Sequence, residues 1–171
     1  MKRFTDAVRN AVAQENWYSA LAIALTLPDL CAKLETPNEG SRVRYVRWYG
    51  EWVEAKYTFH AGLERTRHVF LTGLDCYALR CSYLHEGGGD IQNQRAREAL
   101  ERFHFISPPR HGRPIHCNQF GGILQLQVDK FAIDIADSVD AWALNVSGNA
   151  DVQERITSLL VIHNGDDGVR F

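Results

Sequence analysis

The chain has 171 residues, with 19 Lys+Arg against 21 Asp+Glu and a formal net charge of −2. Its 45% hydrophobic and 23% charged residues suit one globular domain with its own core, and 13 Gly and 5 Pro exclude collagen-like and low-complexity classes. Near-neutrality excludes a whole-molecule basic field for nucleic acid but not a local basic patch. A mean hydropathy of −0.29, with no apolar run near ~20 residues, excludes a transmembrane helix.

The N-terminus does not read as a signal peptide, because Asp6 and Glu15 come before the short apolar run at 20–27. The expectation is a cytoplasmic protein, off the membrane, in which Cys31, Cys76, Cys81 and Cys117 stay reduced. Cys76 and Cys81 lack Cys-x-x-Cys spacing. A zinc site from them with His116 and Cys117 is a minor alternative, and neither metal nor cofactor is expected.

In chain order, residues 3–35 read as helix, apolar almost all round in the second half and therefore central. A kink is expected at Pro28, with a short new helix over 28–34. Residues 36–41 form a loop. Helical spacing resumes at 42–59, where Val46, Tyr49, Trp52 or Val53, and Tyr57 recur, and again at 67–86, stopped by Gly87, Gly88 and Gly89. A short exposed helix is expected over 91–102. Two small strands, at 102–107 and within 115–127, are expected to pair as a hairpin across a Pro-rich loop. Phe131, Ile135, Val139 and Trp142 mark an amphipathic helix from Val128 to Asn145, and 156–162 holds a short strand or helix. The expectation is one domain over 1–171, a mainly α bundle with a small β-hairpin appendage, its core at about 3–145 and a C-terminal extension at 146–171.

No phosphate-binding glycine loop, dinucleotide fingerprint, His-Glu-x-x-His or nucleophile elbow is present. The feature that stands out is Leu79-Arg80-Cys81-Ser82-Tyr83-Leu84-His85-Glu86-Gly87, an Arg and a His five positions apart at the end of a helix. By itself such a pair also suits a surface Arg and a His interacting with the helix dipole.

This motif, preceded by Asp75-Cys76-Tyr77-Ala78 and closed by glycines, resembles the Arg-x4–6-His signature of the HEPN family (higher eukaryotes and prokaryotes nucleotide-binding domains). Residues 16–31 are similar to the first helix of plasmid- and phage-encoded HEPN-like proteins, and 124–142 to their final helix. The resemblance spans about residues 10–145. It implies a HEPN-like helical bundle that forms a homodimer and acts as a metal-independent endoribonuclease in toxin–antitoxin or defence systems, with Arg80 and His85 as catalytic residues. An antitoxin or a nucleotidyltransferase is the implied partner. The position after the Arg is commonly polar in that family, and here it is Cys81, a weak donor, which passes the support of His85 to Ser82 or another group.

The chemistry suits the pair. His titrates near pH ~6.5 and can move the proton of an RNA 2′-hydroxyl or of the leaving oxygen, while Arg steadies charge on the phosphate. Five residues at ~100° each leave Arg80 and His85 about 140° apart on an ideal helix. A wrapping Arg80 side chain or unwinding before Gly87 could close that gap, but it points first to a composite cleft shared by two copies. Asp75 is a candidate to orient Arg80, and Glu86 to act on His85. Arg44, Arg47, Arg110 and Arg113 are candidate RNA contacts, whereas His104 and His116 read as structural. The alternative to an enzyme is a non-catalytic helical module that binds RNA, a nucleotide or a protein partner.

Overall fold

The computed structural model describes residues 1–95 and 97–168. The first helical segment is two helices, α1 (Lys2–Ala13) and α2 (Trp17–Glu35), where one was expected. Glu15 turns the chain at φ 55°, and the Asn16 side chain accepts the Ser19 N–H to cap α2. No new helix starts at Pro28: α2 runs through it, with Pro28 buried among the core residues. Proline inside a helix costs about 3 kcal/mol. Here that cost is met by a helix buried on nearly every side, with Ala20, Ala24, Leu25, Cys31 and Ala32 fully enclosed.

The next two expected helices are shorter than their spacing suggests. Helix α3 (Ser41–Trp52) gives way to a 3-10 turn (Glu54–Tyr57) and then to an antiparallel hairpin of β1 (Thr58–Ala61) and β2 (Thr66–Val69). Helix α4 (Gly73–Glu86) begins only after this hairpin. Thr72 caps it by accepting the Asp75 N–H, and Gly87 ends it at φ 72°. Gly73 lies against α3, where an added Cβ would come within 3.0 Å of the Val46 carbonyl oxygen.

The expected helix over 91–102 is absent; its described residues up to 101 are turns and irregular chain, Arg102 opens a strand, and residue 96 lies outside the described set. The buried Asp75 carboxylate holds this stretch by accepting the N–H groups of Glu98, Ala99 and Leu100. Strand β3 (Arg102–Ile106) follows, then β4 (Asn118–Phe120) and β5 (Ile123–Gln127), in the sheet order β3-β5-β4. The hairpin is therefore β4–β5, across Gly121-Gly122, and β3 joins β5 in parallel instead of as its hairpin partner. Gly121 at φ 56° permits the two-residue reversal. Gly122 accepts the N–H groups of Glu101 and Arg102, an approach that leaves no room for a Cβ beside Glu101.

Helix α5 (Val128–Asn145) has the expected bounds, and its stripe of Phe131, Ile135, Val139 and Trp142 is fully buried. It packs on α1 and α2, with Trp142 edge-on to Trp48 and Phe131 edge-on to Phe105 of β3. The last helix, α6 (Ala150–Thr157), lies mostly ahead of the element expected at 156–162. The molecule is mainly helical with two small sheets. No described helix is long and apolar enough to cross a membrane.

Candidate functional site

Arg80 and His85 both lie on α4, but within one chain they face different surroundings. Arg80 turns toward α2 and α3. Its Nη2 donates to Asp29 Oδ2 at 3.1 Å, and its guanidinium lies 5.9 Å from the Tyr77 ring centre. Asp29 also takes Arg44, whose Nη2 is 2.8 Å from Oδ1, and the Ser41 hydroxyl at 3.2 Å. Two guanidinium groups thus share one carboxylate, with side-chain exposures of 13% for Arg44, 15% for Asp29 and 19% for Arg80. These three groups carry one unit of positive charge, and the adjoining Arg47, paired with both Glu35 and Glu39, makes a trio with one unit of negative charge. Arg80 Nε is buried without a partner among the described residues.

His85 is exposed on the last turn of α4 and makes no hydrogen bond to the described residues. Its neighbours are otherwise engaged. Ser82 is buried and donates to the Asp90 carbonyl at 2.7 Å, which fastens the chain beyond Gly87 and leaves His85 without the support expected of Ser82. The Glu86 carboxylate accepts from the Gln94 amide at 3.1 Å. Asp75 is spent on the 98–100 backbone and the Thr72 hydroxyl, so its expected role toward Arg80 is replaced by that of Asp29. Cys81 is half-buried and unbridged.

The other candidates divide in two. Arg44 and Arg47 are engaged within the chain: Arg44 ties α3 to Asp29 and to the Glu39 carbonyl, and Arg47 bridges Glu35, Glu39 and the Thr36 hydroxyl. Arg110 and Arg113 stay exposed in the loop between β3 and β4, with no partner among the described residues. Among the described residues no three His, Cys, Asp or Glu side chains come together as metal ligands. Cys76 is buried against the Tyr45 hydroxyl at 3.3 Å, and burial pushes its thiol up to about 12.

Local sequence reading missed a cleft of about 430 Å³ between the 3-10 turn and the start of α5. Lys56, His116, Asp129, Lys130 and Asp134 line it. His116 Nδ1 accepts the Gln127 N–H at 3.2 Å, which places the ring proton of the neutral imidazole on Nε2, 4.0 Å from Asp134 Oδ2. Asp134 also accepts the Tyr57 hydroxyl and pairs with Lys56. Burial lowers the His116 pKa against the opposing pull of Asp134, and burial raises Cys117 to about 11, far from a reactive thiolate. Cys117 stands at φ 53°, in the left-handed region. A second cleft, of about 420 Å³, opens at the N-terminal end of α4 beside Arg67 and His68. Neither cleft is lined by Arg80 or His85.

No protein-family model, curated protein or solved structure matches this chain.

Proposed function

We propose that the chain is a HEPN-like, metal-independent endoribonuclease that acts as a homodimer in the cytoplasm, in a toxin or defence role, with an antitoxin or nucleotidyltransferase as its partner. The observation that carries this reading is an exposed His85, without a hydrogen-bond partner among the described residues, on the same helix as Arg80, which shares the Asp29 carboxylate with Arg44 of α3. His85 is open to substrate and keeps both ring nitrogens for proton transfer. Arg80 spends one nitrogen on Asp29 and keeps positive charge near the surface.

In the reaction the RNA 2′-oxygen bonds to phosphorus and gives up its proton, the bond from phosphorus to the 5′-oxygen breaks, and the leaving oxygen takes a proton. One imidazole accepts the first proton and then delivers a proton to the leaving oxygen, while a guanidinium group holds the equatorial oxygens. A single chain offers one His85, turned away from Arg80, so both roles are filled when two copies bring their α4 ends into one cleft. The products carry 2′,3′-cyclic phosphate ends.

The test is cleavage of labelled RNA in EDTA by the wild type, His85→Ala and Arg80→Ala, with folding checked by circular dichroism. The expected loss is at least about 100-fold for His85→Ala, the lower range for general acid–base catalysis. Wild-type rates in both folded variants reject the reading.

A binding module without turnover is the second reading, and one observation favours it: the Arg80–Asp29 pair ties α4 to α2 as an ordinary structural contact would. RNA binding without cleavage by the wild type selects it.

A further inference from the structure

The three-stranded sheet has two faces of different character, and register assigns the side chains. Phe103, Leu124 and Leu126 are buried on the inner face. The outer face carries Arg102, His104 and Ile106 from β3, Asn118 and Phe120 from β4, and Ile123 and Gln125 from β5. Phe120, Ile123 and Arg102 form one cross-strand row, and Asn118, Gln125 and His104 the next. Phe120 is 87% exposed, and His104 and Asn118 are exposed. An aromatic ring open to water on a sheet face gains nothing from folding.

The segment that builds this face carries charge of one sign, and the acids beside it come from other segments. Residues 102–127 hold Arg102, Arg110 and Arg113 with His104, His111 and His116, and none of the chain's 21 carboxylates. In a molecule of net charge −2 this is a marked segregation toward the positive. Of the acids on other segments, Asp90 neutralises Arg102 at 2.7 Å, Glu101 lies beside Gly122 at the edge, and Asp134 lies 4.0 Å from His116. Arg110 and Arg113 keep their charge in the loop that joins β3 to β4.

We infer that the outer face of the β3-β5-β4 sheet, with the 107–117 loop, binds single-stranded RNA, bases stacking on Phe120 and His104 and phosphates meeting Arg110 and Arg113. The choice of RNA rests on the activity proposed above; the stacking and charge argument stands on the sheet alone. Two strand steps at ~4.8 Å and a two-residue offset at ~3.3 Å per residue put Phe120 and His104 roughly 12 Å apart, so each ring serves a different base. Asn118 donates to Gln125, which leaves the Asn118 carbonyl and the Gln125 amide N–H to meet base edges or 2′-hydroxyls. A duplex buries its base faces and offers nothing to these rings.

The test is fluorescence anisotropy with a labelled single-stranded RNA of about 12 nucleotides, a length within the site sizes of such surfaces. The parent protein is His85→Ala, so that the probe stays intact. Adding Phe120→Ala, a change at a side chain with little to lose in packing, weakens binding about 5- to 100-fold if one base stacks there. Adding Arg110→Ala and Arg113→Ala lowers the slope of log affinity against log salt by roughly 1.4, at ~0.7 per phosphate contact to a single strand. Unchanged affinity in Phe120→Ala, or equal affinity for the matching duplex, overturns the inference. Phe120-dependent binding, together with a wild type that does not cut RNA, supports this surface and rejects the nuclease, so the two failures are distinguishable.

Discussion

At the scale of single residues, His116 is half-buried, with one ring nitrogen held by the backbone. Its Nδ1 is committed as acceptor to the Gln127 N–H at the junction of β5 and α5. Protonation there would set N–H against N–H. Burial acts the same way, and Lys130 adds to it, while Asp134 and Asp129 oppose, with a net lowering of the pKa below its ordinary 6.5. The unfolded chain therefore binds the proton more readily than the folded one. The stabilising contribution is complete above pH 6.5 and is lost as pH falls through that value toward the lower folded pKa. His116→Asn keeps an acceptor near Nδ1 without a titrating ring. Urea midpoints at pH 7.5 and 5.5 should fall further for the wild type than for this variant; equal falls would show that His116 does not titrate between the two states.

At the scale of elements, Asp29 of α2 binds α3 through Arg44 and α4 through Arg80. Removing either Arg leaves Asp29 one guanidinium and the Ser41 hydroxyl, so Arg44→Ala and Arg80→Ala should each cost about 1 kcal/mol, as expected for partly exposed pairs. The double variant leaves a largely enclosed carboxylate with only the Ser41 hydroxyl and should exceed the sum by about 1 kcal/mol. Urea unfolding of the four proteins measures this coupling, and strict additivity would mean that Asp29 is already solvated.

This tie also shows how far local pattern reaches. Helix α5 was legible because its four stripe residues are all core residues. Tyr45, Tyr49, Val53 and Tyr57 are buried at intervals of four, so the helical stripe continues past Trp52 although the backbone turns 3-10 and then extended. Four-residue strands such as Thr58–Ala61 are too short for alternation to override that signal. The Asn16–Ser19 cap was present in the sequence but hidden by apolar residues on both sides. Arg80 and His85 were legible as a pair, but Asp29 is 51 positions upstream of Arg80 and joins it only through tertiary packing.

At the scale of the whole molecule, one chain does not make a catalytic site of Arg80 and His85, because the first faces α2 and the second faces solvent. In the proposed two-fold pairing of α4 ends each copy would supply what the other lacks, and that pairing has a consequence that a self-sufficient chain would not share. Arg80→Ala and His85→Ala proteins, each inactive alone, should regain RNA cleavage when mixed under conditions that allow subunits to exchange. A mixed dimer retains one guanidinium and one imidazole in the common cleft, whereas each parent dimer has lost both copies of one group. Chains that act independently would show no gain, since every copy in the mixture still lacks a member of its own pair. Cleavage by the mixture above the sum of its separate components, together with a dimer mass by light scattering, supports the shared cleft. Absence of any gain in a mixture whose exchange is verified removes it and leaves Arg80 as the structural partner of Asp29.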